Sequence, residues 1–204
     1  MVTIVDYGVG NLASIKNMLK KTGYEALISS DEQTIARADK LILPGVGAFD
    51  TCADKLQHSG LTNTLNKKAL EEKIPILGVC VGMQMLLEGS EEGQLPGLGW
   101  IKGRVVRFRK DKMTNDLKIP HMGWTDVIPA KNSRLLADIV EPRFYFVHSY
   151  HAEPANEEDT LVKAHYGYDY TAAVERGNIM GVQFHPEKSH SFGMKLFSNF
   201  MKHY

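Results

Sequence analysis

The run Ile74–Glu88, IPILGVCVGMQMLLE, decides how the rest of the chain is read. Ile76, Leu77 and Val79 form an apolar stretch that reads as a buried strand and stops at Cys80. Met83, Met85, Leu86 and Leu87 then follow at helical spacing. Gly78 and Gly82 flank the cysteine two residues away on each side. Strand, cysteine between glycines, helix is the layout of a nucleophile elbow, with sulfur in place of a hydroxyl. The turn is tight enough that a side chain at either glycine would collide with the neighbouring strand or helix. It lifts the sulfur out of the sheet to the N-terminus of the helix, where unpaired amides and the helix dipole favour the thiolate. A lone cysteine is more often a buried packing residue. The two glycines and the strand-to-helix switch reverse that weighting here.

Upstream, the chain reads as βα units. Val2 to Val5 is β-branched, Asp6 to Gly10 turns, and Leu12, Ile15, Met18 and Leu19 give a helix over Asn11 to Thr22. Gly23 ends it, Glu25 to Ser29 is a second strand, and Ser30 or Asp31 caps a short helix through Ala38. Lys40 to Leu43 is a third strand that runs into Pro44-Gly45-Val46-Gly47, where two glycines let backbone amides point outward as an oxyanion site requires. Helical stretches over Ala48 to Ser59 and Leu61 to Lys73 lead to the elbow, and Cys52 in the first of them reads as packing. Gly8-Val9-Gly10-Asn11-Leu12-Ala13 matches a short dinucleotide fingerprint, but the rest of a cofactor domain is missing. It reads instead as a tight first βα turn at the sheet's carboxyl edge, and no cofactor is expected.

Downstream the texture changes. Trp100–Arg109, Thr125–Ile128, Arg143–Val147, Leu161–Ala164, Thr171–Glu175 and Ile179–Gln183 read as strands too closely spaced for a crossover helix each time. A helix over Ser189 to Lys202 turns Phe192, Leu196, Phe197 and Phe200 inward. The fold class is therefore α/β, a mostly parallel central sheet flanked by helices with an antiparallel β extension, in one domain spanning 1–204. The last strand runs into His185-Pro186-Glu187. A carboxylate two positions after the histidine, across a proline, can hold the ring in its charged form while the other ring nitrogen faces a thiol. Cysteine, histidine and glutamate thus stand in one chain, on segments leaving the carboxyl ends of parallel strands.

Composition narrows the class. The chain's 204 residues suit one α/β domain, and 24 basic against 24 acidic side chains argue against a nucleic-acid or anionic-membrane binder. Two cysteines make no disulfide framework, so a cytoplasmic setting is expected. The opening run Met1–Gly8 carries no signal-peptide pattern, and no apolar stretch is long enough to span a membrane. The eight histidines show no metal-ligand spacing, and no metal site is expected.

Gly78-Val79-Cys80-Val81-Gly82-Met83-Gln84 and His185-Pro186-Glu187 resemble the triad motifs of the class I glutamine amidotransferases. Asp6-Tyr7-Gly8, Gly10-Asn11, Pro44–Gly47, Pro120–Trp124 (PHMGW), Tyr145–Tyr150 (YFVHSY) and Phe184–Ser189 narrow the resemblance. They are similar to segments of the glutaminase subunits of imidazole glycerol phosphate synthases. Val81 stands where leucine is usual and keeps an apolar side chain. The resemblance covers nearly the whole chain and implies a flavodoxin-like core, a Cys80–His185–Glu187 triad and a γ-glutamyl thioester at Cys80. It also implies an oxyanion site at Gly45, Val46, Gly47 and Val81, and a glutamine pocket at Gln84, Glu92, Ser149 and Tyr150. The implied partner is a (β/α)8-barrel cyclase subunit, forming a heterodimer through Asn11, Trp124, Tyr145 and Lys188. That partner would take up the ammonia to make imidazole glycerol phosphate and an aminoimidazole-carboxamide ribonucleotide for histidine synthesis. For Glu92 a solvated loop charge, and for Trp124 a packing role, are the competing readings. For the chain they are a glutaminase of another class I amidotransferase, or a silent regulatory module.

Overall fold

The computed structural model describes residues 2–114 and 116–204; Met1, the first residue of the opening run, and Asn115 lie outside them. The first half alternates strands and helices: β1 (Val2–Val5), α1 (Leu12–Lys21), β2 (Ala26–Ser29), α2 (Glu32–Ala36), β3 (Lys40–Gly45), α3 (Phe49–His58), α4 (Thr62–Asn66) and β4 (Ile76–Cys80). A one-turn helix, α5 (Val81–Gln84), follows. Then come β5 (Gly103–Arg107), β6 (His121–Pro129), β7 (Arg143–His148), β8 (Tyr150–Pro154), β9 (Thr160–Tyr166), β10 (Tyr168–Arg176), β11 (Ile179–Val182) and α6 (His190–His203).

The strands form one mixed sheet in the order β2-β1-β3-β4-β11-β10-β9-β6-β7, with β5 and β8 branching from β10. The first five of that order run parallel. β1, β4 and β11 are buried along their whole length, as strands covered by helices on both faces must be. From β11 onward each neighbour is antiparallel, which is the extension the short spacings implied. β1 lies between β2 and β3, so the chain moves one way along the sheet from β1 to β2 and back the other way, past β1, from β2 to β3. Right-handed crossovers then put α1 and α2 on opposite faces, with α1 packing on α6 and α2 on α4. Asp31 caps α2 as expected, its carboxylate accepting from the Thr34 amide at 2.8 Å.

Four local expectations need correction. The elbow helix does not continue through Leu87. After Gln84 the bonds tighten to Leu86 N to Met83 O and Leu87 N to Gln84 O, and the 97–101 loop returns to donate to the carbonyls of Met85, Leu86 and Leu87. The apolar run 85–87 is buried by that loop rather than by helix periodicity. Second, the stretch 150–154, read as part of no strand, is β8, paired along its whole length with β5. Its sequence YHAEP carries too little apolar alternation to announce it. Third, β6 begins four residues earlier than the Thr125–Ile128 reading. The helix expected through Lys73 gives way to a π-helical turn over Lys67–Glu71.

Candidate active site

Cys80 ends β4 with φ 56° and ψ −116°, a left-handed conformation that costs a non-glycine residue on the order of 1–3 kcal/mol. The surrounding packing holds it there. A Cβ at Gly82 would overlap the Leu43 carbonyl oxygen of β3, and one at Gly78 would lie 2.8 Å from the Met83 Cα. Both glycines thus let α5 sit directly on the strands, as the elbow reading required. Gly45 serves the same approach: it pairs with Cys80 across β3 and β4, and its face is closed by Gly82 and Val81. A single helical turn has little macrodipole, so no long helix stands behind the sulfur.

The histidine arrives from the next strand. β11 pairs with β4 in the register Val182↔Val79, so the segment after β11 leaves the sheet beside the elbow. It is held against β7: the His185 amide donates to Tyr145 O (2.9 Å), the Ser189 hydroxyl donates to His185 O (2.7 Å), and the Tyr145 amide donates to Ser189 Oγ (3.0 Å). His185 Nδ1 lies 2.8 Å from Glu187 Oε1, both side chains being almost wholly buried. Burial alone would lower the His185 pKa. The hydrogen bonds and charges of Cys80 and Glu187 outweigh it and raise the ring to about 10. The imidazolium is therefore the resting form at neutral pH, paired with the sulfur on one side and the carboxylate on the other. Glu187→Gln is expected to lower the ring's pKa from about 10 and to cut turnover by roughly 10²–10⁴. Titration of the His185 ring by NMR, set beside glutamate release, checks both.

An open pocket of about 390 Å³ lies over the sulfur, within the roughly 300–1,000 Å³ of small-molecule sites. Of the residues singled out from sequence, Cys80, His185, Val46, Gly47, Val81, Gln84, Glu92, Ser149, Tyr150 and Lys188 line it. Gly45 does not; it lies one residue back, inside β3, where its missing side chain admits α5. Glu187 stands behind the imidazole. Gly8 and Gly10 are also outside the pocket. A Cβ at Gly10 would lie 2.8 Å from Pro44 Cβ, so this turn buttresses the Pro44–Gly47 loop. Cys52 packs as expected, its thiol donating to Val46 O at 3.4 Å and so tying α3 to the same loop.

Glu92 is more than a loop charge. Its Oε2 accepts from the Phe49 amide (2.9 Å) at the head of α3, while the Asp50 carboxylate accepts from the amides of Gln94 and Leu95. This reciprocal clasp fixes a carboxylate at the pocket wall. Also lining the pocket, the Gln84 side-chain amide nitrogen donates to Tyr150 O (3.4 Å) and to Gln183 Oε1 (3.0 Å), and Gln84 Oε1 is buried with no partner.

Sequence reasoning missed two participants. Gln183 donates to Cys80 Sγ at 3.8 Å. His148 lines the pocket, and burial pushes its pKa down to about 3 and that of His121 to about 4. Each neutral ring has one donor and one acceptor. His148 Nδ1–H gives its proton to Tyr150 O (2.8 Å), so its Nε2 accepts from the Tyr170 hydroxyl (3.2 Å). His121 Nδ1–H donates to that hydroxyl's oxygen (3.1 Å), and Thr125 donates to His121 Nε2 (2.8 Å). His148 forms part of the pocket wall, and His121 is linked to it through the Tyr170 hydroxyl. Among the described residues no group of three or more His, Cys, Asp or Glu could hold a metal ion, and no helix is long and apolar enough to cross a membrane.

Of the residues assigned to a docking face, Trp124 and Tyr145 are partners in the β6–β7 register, and Lys188 Nζ sits 5.8 Å over the Tyr145 ring. Trp124 stacks on His190 at 5.5 Å yet stays 37% exposed, so it is not core. Asn11 is exposed at the head of α1, which packs on the Pro186–Lys188 turn.

Residues 3–204 match the family described as glutamine amidotransferase class-I. The chain is 50% identical over 203 residues to "Imidazole glycerol phosphate synthase subunit HisH 2" of Methanococcus maripaludis, and equally to the protein of that name from Pseudomonas aeruginosa. In each case the match covers 99% of both chains. A solved structure described as a glutamine amidotransferase superposes with a TM-score of 0.77 at 20% identity, covering 99% of this chain and 98% of that one, which is a likeness of fold. With the elbow, the buried imidazolium and the family match in agreement, this chain belongs to the class-I glutamine amidotransferases.

Proposed function

We propose that the chain is a single-domain glutaminase subunit of imidazole glycerol phosphate synthase, working in the cytoplasm in a heterodimer with a (β/α)8-barrel cyclase subunit. The observation that carries the chemistry is the buried His185–Glu187 pair beside a cysteine held in a left-handed elbow, at the floor of a pocket walled by Gln84 and Glu92. Full-length relatives named as HisH subunits support the choice of synthase.

The reaction follows from those groups. Free glutamine enters with its ammonium toward Glu92 and its head group against Gln84, Ser149 and Tyr150. Thiolate Cys80 attacks the side-chain amide carbon, and the new oxyanion is received by the amides of Val81 and of the Val46–Gly47 segment of the loop. His185 gives its proton to the leaving nitrogen, ammonia departs, and a γ-glutamyl thioester remains. Water then gives a proton to His185 as it attacks the thioester, which releases glutamate and restores the thiolate.

Ammonia protonates in bulk water and stops being a nucleophile, so its use calls for a closely docked acceptor. β6 presents a surface for one: Met122, Trp124 and Ile128 are 61%, 37% and 69% exposed and alternate along the strand, placing apolar side chains on one face. Glutamate release by the chain alone is expected to be low and to rise with a cyclase subunit carrying its nucleotide ligand. Equal turnover in both conditions rejects the synthase assignment. Trp124→Ala is expected to weaken the complex by about 2 kcal/mol or more, read by calorimetric titration against the cyclase subunit.

A further inference from the structure

Gln183 stands directly after β11, two residues before His185, and is 0% exposed. Its backbone amide donates to Ala172 O (2.8 Å), which fixes the residue against β10. Its side chain lies between two residues of the site. Gln84 Nε2 donates to Gln183 Oε1 at 3.0 Å, and Gln183 Nε2 donates to Cys80 Sγ at 3.8 Å. A primary amide has one accepting oxygen and one donating nitrogen, so the first bond decides the second. With the oxygen turned to Gln84, the nitrogen is left for the sulfur. The constraint also runs the other way. Because the Gln84 nitrogen is spent on Gln183 Oε1 and Tyr150 O, its own oxygen is the group left unpaired, in a residue that lines the pocket.

We propose that Gln183 is a positioning residue for the site: its amide nitrogen holds the Cys80 sulfur as the attacking thiolate, and its carbonyl anchors the buried Gln84 amide in the pocket wall against which glutamine binds. The inference rests on the glutaminase reading and deepens it. A hydrogen bond to an ionised sulfur is stronger than one to the neutral thiol, so the donor favours the charged form. It also restrains a side chain whose backbone is already in a left-handed conformation. The other titratable groups whose electrostatics include this sulfur are His185, backed by Glu187, and Tyr7 and Cys52. Gln183→Met leaves all of them in place, whereas Gln183→Glu adds a carboxylate to the cluster.

Two variants separate the halves of the proposal. Gln183→Met keeps the volume and removes both donor and acceptor; Gln183→Glu keeps an acceptor for Gln84 and removes the amide donor. Each is assayed in the complex with the cyclase subunit for kcat and KM. Each is also assayed without glutamine for the pH dependence of iodoacetamide alkylation at Cys80, with Cys80→Ala as background for Cys52. Both variants are expected to shift the alkylation midpoint to higher pH and to lower kcat. Only Gln183→Met is expected also to raise the KM for glutamine, by about 3–10-fold, the equivalent of one hydrogen bond. An unchanged alkylation profile in Gln183→Met overturns the role toward sulfur, and an equal KM in Gln183→Met and wild type overturns the role toward Gln84. If Gln183→Met does not fold, Gln183→Leu, which also removes donor and acceptor without adding charge, replaces it for both readouts. A wild type that releases no glutamate rejects the glutaminase reading itself, while the alkylation profile continues to report on Gln183 and Cys80.

Discussion

Cys80→Ala is expected to abolish glutamate release, with a loss on the order of 10⁴-fold or more, while leaving the fold and the affinity for the cyclase subunit in place. The size follows from the geometry. Among the described residues Cys80 and Cys52 are the free thiols, and Cys52 is buried in α3 with its proton given to Val46 O. Nothing else at the pocket floor can form the thioester. The fold survives because alanine still meets the packing demands of the turn, though it inherits the φ of 56°. Cys80→Gly removes that conformational cost and is expected to be the more stable of the two by about 1 kcal/mol, compared by urea midpoints. The substitution also removes the sulfur's contribution to the His185 pKa, so the ring should titrate below its present value of about 10. Glutamate release that persists in Cys80→Ala would mean that the elbow is structural and that another group does the chemistry.

Gly82→Ala is expected to be at least as damaging, by a different route. The added methyl group would fall on the Leu43 carbonyl oxygen and close against Pro44, both backbone atoms of β3, so no side chain can rotate away to admit it. Either α5 lifts off the strands or the β3–β4 pairing opens. Overpacking against fixed backbone is expected to cost more than about 3 kcal/mol. Lifting α5 would also displace Val81 and Gln84 from the pocket, so activity should fall further than the folded fraction does. Denaturant midpoint and glutamate release measured on the same preparation separate the two losses. Gly23→Ala is a useful contrast. It ends α1 at φ 88° with nothing within 4 Å of its added Cβ, so its penalty is conformational only and its activity should be retained.

The parallel half of the fold, the elbow and the His185–Glu187 pair were legible because each depends on near neighbours in sequence. A buried parallel strand is a continuous apolar run, the elbow is defined by glycines within two residues of Cys80, and Glu187 reaches His185 across one proline. The antiparallel half was legible only in outline. β8 has few apolar residues to mark it, and it exists because β5 supplies a partner along its length. The elbow helix stops early because the 97–101 loop takes up its carbonyls, a contact no local pattern encodes.

Sequence by itself therefore determined the fold class, the elbow at Cys80 and the His185–Glu187 pairing, since propensity, glycine sterics and short-range spacing act within a few residues. Tertiary structure decided what each group does to the others. The raised pKa of His185, the depressed ones of His148 and His121, the Glu92 clasp on α3 and the amide chain from Gln84 through Gln183 to Cys80 all join residues distant in the chain. Burial and hydrogen-bond partners set charge states and amide orientations, and both are properties of the folded neighbourhood rather than of any segment in it.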